Sequence, residues 1–589
     1  MVNKYFYNLS VTIVGVVVLI FILTTVGGLF HIPVNPFFVL LPFIGGIYYL
    51  RIQSTENIDF LKQFLILLLI IMVSCTLAVF IWDTSSDGRW YHSATLVMLK
   101  NGWLPVYHKF MEFAANCHVH PESAFWGNFY LRFVETVGAN IYKITNLIES
   151  AKAVNLIALS AVFMYSYSVL KEFKPQNKFM PLITSFIIVL NPVSICQWFT
   201  NFIDLHIYFA FTLLVLTIIK IELQQKTVKT DLFMFVSSAL MLAMTKLTGC
   251  MYLFIICLLY FLYLFPLKRD VKKYIKTILI IGGLIALTGV SPFYTTFKNR
   301  GNPFFPVWGK NRLVIINNIP VGFETMSNIE RFLRSTFSES VMSMNSTDIQ
   351  EFKKAVKLKI PFTMHKKSPE EAVYIPNPYE FCFPDMRVGG LGFFWSGILL
   401  LSLFYLPFIR FRNKNEKYLF WLLTAMILTT TFSNPHSWWA RFIPQFWLFS
   451  VFILFFGLLQ ENYKNNYSKK IKLSCLYFIM LAFIVNSSII LFQNIYFKFL
   501  LSKLIQRPYN YIDSIIKPQD KILLMVKPAE NMKSIDETII PHLEEYYGKK
   551  NIIYVSYDES KISSEEFLPI QCAYVLNTPF YFFKIEQRK

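Results

Sequence analysis

Two carboxylates four residues apart, Asp83 and Asp87, stand where a long apolar run ends, in the segment 82–92 (WDTSSDGRWYH). Acids at the mouth of a helix are placed to exchange protons with a bound substrate. Downstream, Trp90, Leu96, Val97 and Trp103 have the apolar character to lay a short helix along a membrane interface. Reactive groups held at that depth would meet the phosphate of a lipid-linked substrate. Four further segments put polar groups at the edges of apolar runs: 200–206 with Asp204 and His206, 246–249 with Lys246, 299–306 with Arg300, and 434–444 with His436 and Arg441.

The elements that must position these residues follow from composition. The chain has 589 residues, 55% hydrophobic and only 16% charged, against about 25% charged in a soluble domain. This excludes disorder and argues against an ordinary soluble enzyme. A bilayer core about 30 Å thick takes roughly 20 apolar helical residues. Runs of this kind cover about 10–30, 33–50, 64–82, 151–170, 179–196, 202–219, 232–244, 249–265, 275–290, 391–409, 418–432, 440–459 and 473–492. The first has no small-residue cleavage site before its polar flank and reads as a retained helix. The expectation is an all-α polytopic membrane domain of about thirteen transmembrane helices with an outer loop layer and a small C-terminal α/β domain. Residues 1–63 supply two N-terminal helices, 64–496 the main membrane domain with outer loops 83–150 and 291–390, and 497–589 the α/β domain.

The formal net charge of +20 comes from basic residues in particular loops. With the N-terminus cytoplasmic, the inner segments carry twenty-two lysines and arginines and the short outer turns only Lys246 and Arg441. That bias accounts for the basic balance without nucleic acid. It places the three long non-apolar regions, and all nine histidines, on or near the extracytoplasmic side. An odd number of spans puts the C-terminus there as well. In the tail, Lys521–Val526 and the stretches 551–556 and 572–576 read as strands, and 534–547 as a helix with Ser534 and Glu537 as a capping box. The eight cysteines have no zinc or disulfide spacing, although Cys117 and Cys382 would share an oxidising side. The cluster at 117–122 (CHVHPE) resembles metal ligands only by composition.

The pattern DG-x-x-YH followed by GW-x-P resembles the first outer loop of the GT-C superfamily of integral-membrane glycosyltransferases, which includes protein O-mannosyltransferases and the aminoarabinose transferases of lipid A. Segments 299–306 (NRGNPFFP) and 434–444 (NPHSWWARFIP) resemble the N-x-GNP-[FY]-[FY]-P and R-[FY]-x-x-P elements of bacterial members, and 200–204 and 246–249 their outer polar turns. The resemblance covers about 64–492. It implies a GT-C-like fold and transfer, by inversion, of a sugar from a polyprenyl-phosphate donor to an envelope glycan, lipid or protein acceptor. It also implies a place in the bacterial cytoplasmic membrane. Such a reaction needs a base for the acceptor proton and cations for the departing phosphate. Asp87 matches the acidic position and takes the role of base. Lys246, Arg441 and Arg300 become phosphate clamps. Asp83 would orient the acceptor or help hold a divalent cation, and Tyr91, His92, Asp204 and His436 would contact substrate.

Plainer roles stay open for each: Asp87 as a helix cap, Lys246 and Arg441 snorkelling to headgroups, and Asp204 with His206 as a pair inside the bundle. Two other functions compete. A polymerase or ligase of undecaprenyl-diphosphate-linked oligosaccharides would need outer arginines but not Asp87. A lipid-linked glycan flippase would show internal repeats and charges deep within its spans, and neither is seen.

Overall fold

Prolines, glycines and charges inside the apolar runs decide which of them become long helices. The computed structural model describes residues 2–515 except 118, 174–178, 226, 268–270, 308, 310–318, 321, 343–355, 365–383 and 460–465. Beyond 515 it describes 521–526, 538, 541–542, 545, 552–556, 567–572 and 581–586. The α-helices among these residues are α1 (Val2–Leu29), α2 (Phe37–Gln53), α3 (Asn57–Phe80), α4 (Ser93–Lys100), α5 (Phe110–Asn116), α6 (Pro121–Phe129) and α7 (Phe133–Thr145). Then come α8 (Ala153–Phe173), α9 (Phe179–Val189), α10 (Pro192–Gln197), α11 (Asp204–Gln224), α12 (Lys229–Thr245), α13 (Leu247–Leu264), α14 (Val271–Thr288), α15 (Thr295–Arg300) and α16 (Asn328–Thr336). The last four are α17 (Trp395–Tyr405), α18 (Lys414–Phe432), α19 (Trp447–Leu458) and α20 (Asn466–Ile515).

The thirteen-span expectation is overturned. Among the described residues six helices are long and apolar enough to cross a membrane: Asn3–Leu29, Asn57–Phe80, Ile148–Phe173, Asp204–Gln224, Leu247–Leu264 and Lys470–Lys503. A seventh is reached only if α14 and the segment Val290–Arg300, bent by 62°, form one span. The other runs fail for local reasons. The run at 179–196 is broken at Asn191-Pro192, where the Asn191 side chain accepts from the Val193 and Ser194 amides and starts a new helix with proline at its first position. α2 has 17 residues and contains Pro42. α17 has 11 residues, and α19 has 12 after a 3₁₀ turn opened by Pro444. α12 has 17, and α18 spends its first turn on Lys414, Glu416 and Lys417. The GT-C assignment falls with this count, because the architecture it implied is about twice as rich in spans. The odd-number argument for the side of the C-terminus falls as well.

The coarser reading stands: the chain is an integral, multi-pass membrane protein. α11 lies at the centre, with nearly all of its apolar window buried. It pairs with α12, and α1 packs along α8 and α2, all within one continuous core. α3, α13, α14 and α20 keep apolar side chains such as Leu65, Leu69, Phe254, Leu279 and Phe478 exposed, as helices against lipid do.

In the tail, β3 (Lys521–Val526), β4 (Ile552–Ser556), β5 (Phe567–Cys572) and β6 (Tyr581–Glu586) form one sheet in the order β4-β3-β6-β5. β3 and β4 are parallel, and the other pairs antiparallel. The third expected strand is shifted: the chain is extended up to Cys572 rather than from it, and 573–576 lie outside the described residues. So does most of 534–547. The expected domain start at 497 falls inside α20, which runs on to Ile515.

Candidate functional site

Helix ends converge on the loop that follows α3. Trp82 donates its amide to Ser502 Oγ (2.9 Å), and Lys498 Nζ reaches Thr84 Oγ1 (2.8 Å), so α20 braces the loop. Asp83 is fully buried. One of its oxygens accepts from the Ser85 amide (2.8 Å) and hydroxyl (2.6 Å), the other from the Asn201 amide (2.7 Å). It thereby ties this loop to the turn before α11. Gly88 fits into that clamp: a Cβ there would lie 2.3 Å from both Asp83 Oδ2 and Ser85 Oγ. The chain then enters a π-helical turn, Gly88–His92, and α4. Leu96, Val97 and Trp103 are buried in a local core, so α4 is packed inside the protein instead of lying along an interface.

Asp87 points away from the clamp. Its carboxylate is 3.1 Å from Arg441 Nη1 and 3.4 Å from the Tyr91 hydroxyl. Arg441 sits on the 3₁₀ turn Ala440–Phe442 between α18 and α19. That turn is held by the Tyr252 hydroxyl, which donates to the Phe442 carbonyl (2.5 Å). The Arg441 guanidinium lies over the rings of Phe202, Trp439 and Phe442, and Lys246 Nζ lies 4.6 Å from the centre of the same Phe442 ring. Lys246 pairs with Asp204 at 2.7 Å. Chemistry-bearing residues from four distant loops thus share one end of the bundle.

Two further members have no counterpart in the sequence reading. Asp385 lies 3.2 Å from Arg441 Nε, accepts from Trp439 Nε1 at 2.9 Å and faces Arg387 Nε at 3.6 Å. Its loop leads into β2 (Met386–Val388), which pairs antiparallel with β1 (Val341–Met342). Gly390 lets this loop press on the Arg441 turn, since a Cβ there would come within 2.7 Å of Ala440 Cβ. Gln197 joins the two halves by donating to the Pro384 carbonyl (3.2 Å) and to Asp204 (3.4 Å). The only signal in the sequence was Asp385-Met386-Arg387, opposite charges on one side of a short strand just before an apolar run.

Three carboxylates (Asp87, Asp204, Asp385) therefore face three cations (Lys246, Arg387, Arg441). Burial opposes the Arg441 charge, but Asp385, Asp87 and Asp204 outweigh it and raise its pKa. The Asp385 carboxyl is shifted toward its protonated form. Burial raises its pKa, Asp87 and Asp204 add to this, and Arg441 and Arg387 only partly offset it. Burial, then Asp87, keeps the Tyr91 hydroxyl protonated well above its ordinary range. Tyr91, Trp126 and Tyr130 form an aromatic wall beside Asp87, with centroids 5.6–6.4 Å apart.

The remaining sequence-predicted residues are placed differently. His92 Nδ1 is 2.7 Å from Glu135 inside the protein. His436 packs on Phe442, and burial, then Arg331, Arg441 and Lys246, lowers its pKa so that the ring is neutral. Arg300 is exposed and stacks 5.0–5.4 Å from the rings of Phe125, Phe129 and Phe305, and among the described residues it does not join the Asp87–Arg441 group. His206 donates its Nε2–H to Asn155 Oδ1 (2.8 Å). Among the described residues no group of three or more His, Cys, Asp or Glu side chains is arranged to hold a metal ion, and the oxygens of Asp83 are engaged by Ser85 and by the Asn201 amide. Cys382 and His118 lie outside the described residues.

An anion entering beside Arg441 would compete with Asp87 for the guanidinium and leave that carboxylate as a base. The part-exposed side chains of Asp87, Asp385, Lys246 and Arg441, 13–23% accessible, leave room for this exchange. No protein-family model, curated protein or solved structure matches the chain.

Proposed function

We propose that the chain is a membrane-embedded transferase that moves a sugar from a polyprenyl-phosphate donor to an envelope glycan, lipid or protein acceptor at the extracytoplasmic face. The observation that carries this reading is the 3.1 Å contact of Asp87 with Arg441, with Lys246 across the shared Phe442 ring. In the reaction, the acceptor hydroxyl gives its proton to Asp87 and its oxygen bonds to the anomeric carbon. The bond from that carbon to the phosphate oxygen breaks, and the phosphate leaves with the electron pair, neutralised by Arg441 and Lys246. The aromatic wall of Tyr91, Trp126 and Tyr130 offers apolar faces to a sugar ring. The side of the membrane is inferred from charge. Lys171, Lys220, Lys229, Lys272, Lys273, Lys414 and Lys417 all lie at the opposite ends of the helices that bear or border the site.

Arg387 beside Arg441 supports a second reading, the joining of oligosaccharides carried on undecaprenyl diphosphate, because two guanidiniums suit two phosphates. The test is transfer of radiolabelled sugar from polyprenyl monophosphate and diphosphate donors to envelope fractions. The first reading expects transfer from the monophosphate donor, abolished in Asp87→Asn. Transfer from diphosphate donors alone, unchanged by that substitution, supports the second. No transfer from either rejects both.

A further inference from the structure

The C-terminal tail reaches back to the loop that carries Asp87. Thr538, His542 and Glu545 stand four and three residues apart. The His542 amide donates to the Thr538 carbonyl (2.9 Å), the bond of an α-helical turn. That spacing puts the three side chains on one helical face, in keeping with the helix expected over 534–547. Each meets a different part of the membrane domain. The His542 ring lies flat on the Trp82 indole, with centroids 3.8 Å apart and an interplanar angle of 12°. Its Nε2 lies 3.2 Å from Glu149 Oε1. Thr538 Oγ1 accepts from Arg89 Nη2 (3.3 Å), and the Glu545 carboxylate accepts from the Ile148 amide (2.5 Å).

These contacts hold the loop at both ends. Trp82 opens it, and Arg89 lies in the π-helical turn that starts just after Asp87. Between them, Glu149 Oε2 accepts from the Asp83 amide (2.9 Å) and pairs with Lys152. One carboxylate thus joins His542 to the residue that clamps the loop. Thr538 and His542 are only 1% and 0% exposed, and Trp82, Arg89 and Glu149 are buried with them. Polar side chains so deeply buried need partners, and here tail and loop supply them to each other. Burial, then Arg89 and Lys152, keeps the His542 ring neutral, so it docks on Trp82 as an uncharged surface. Arg89 is directed to the tail, whereas Asp87, two residues before it, is directed to Arg441.

We infer that the tail is a positioning device for the transfer site: the face formed by Thr538, His542 and Glu545 holds the 82–89 loop in the arrangement that aims Asp87 at Arg441. His542 is a positioning residue that acts through Trp82 and Glu149. The consequence for transfer rests on the proposed reaction, whereas the ordering of the loop does not.

The test is amide hydrogen exchange, read by mass spectrometry on the full-length protein in detergent. The Asp83, Ser85 and Arg89 amides are the reporters, because each is hydrogen-bonded when the loop is in place. His542→Ala removes the ring stack. Thr538→Val removes the hydroxyl at nearly constant shape, and Thr538→Ser retains it. His542→Ala should speed exchange across 82–92 by about tenfold or more, with α11 and α12 at wild-type rates. Thr538→Val should give a smaller rise in the same segment, and Thr538→Ser none. If His542→Ala fails to fold, the two Thr538 variants decide. Unchanged exchange across 82–92, a rise confined to the tail, or an equal rise in α11 and α12 each overturns the proposal. Labelled-sugar transfer is the second readout: in His542→Ala kcat should fall while the donor KM stays within about twofold of wild type. An unchanged kcat beside a loosened loop also overturns the positioning role. Absence of transfer by the wild-type protein rejects the proposed reaction alone, and loop exchange then decides this inference.

Discussion

The two ends of the helical bundle use the same side-chain types to opposite effect. At the lysine-rich end, Lys220 pairs with Asp231 at 2.9 Å, lies 3.9 Å from Glu172 and caps the Tyr7 ring at 3.8 Å. The Tyr7 hydroxyl is also within 2.9 Å of Asp231. The side chains of Lys220 and Asp231 are 6% and 0% exposed, so this central pair is sealed and its charges are satisfied within the protein, while Glu172 reaches solvent at its edge. At the other end, Arg441 divides itself between Asp87 and Asp385, all three reach solvent, and a carboxylate can be displaced by an incoming anion. A closed pair locks helices together. An open, shared one is held by its surroundings and keeps its charges available. Lys220 and Arg441 each face two carboxylates, so the distinction is made by access, and neither residue type nor partner number carries it.

Substitutions can break or sharpen this contrast. The largest effect is expected at the sealed end. Lys220→Met leaves Asp231 buried without its cation and should cost about 3–5 kcal/mol of stability, read by chemical denaturation, while transfer per folded molecule stays at the wild-type level. At the open end Arg441→Lys keeps a charge but loses the fork that spans two carboxylates. Transfer should drop about 10²–10³-fold, or about 2.7–4 kcal/mol, with the folded fraction preserved in size-exclusion chromatography. Gly88→Ala forces a methyl group into the Asp83 clamp and should destabilise by about 1–3 kcal/mol, visible as a lower unfolding midpoint and a proportionate loss of transfer. The smallest effect concerns pH. Because the folded carboxyl of Asp385 has a raised pKa, the native state binds more protons than the unfolded state in the interval between the ordinary carboxylate value and that raised value. Stability therefore falls as pH climbs through that interval. Asp385→Asn should flatten this part of the stability-versus-pH curve.

Much of the open end was legible because each contributing loop sits at the edge of an apolar run. Asp87, Asp204, Lys246 and Arg441 are recognisable as polar residues at helix mouths, and hydropathy alone marks such positions. Asp385 and Arg387 were not legible, since their loop has no periodicity and their importance comes from Gly390 bringing it against Ala440. Asp83 and Asp87 stand at the same helix mouth and were told apart in sequence only by a resemblance; the fold turns one into a loop clamp and the other toward Arg441. The span count failed for a related reason. Hydropathy averages over Asn191-Pro192, Pro42 and Pro444, whereas the backbone must break or shorten a helix at such points. Arg300 was grouped with the phosphate clamps from its segment, and its stacking on Phe125, Phe129 and Phe305 is a tertiary contact that no local pattern encodes.

The central claim is that Asp87, released from Arg441 by a lipid phosphate, performs the proton transfer. Its most direct test is the initial rate of labelled-sugar transfer in proteoliposomes containing equal amounts of folded wild type and Asp87→Asn. The account predicts a loss of about 10²–10⁴-fold in the variant. A rate within a factor of about two of wild type would contradict it, since removal of a working general base cannot leave the rate so nearly intact.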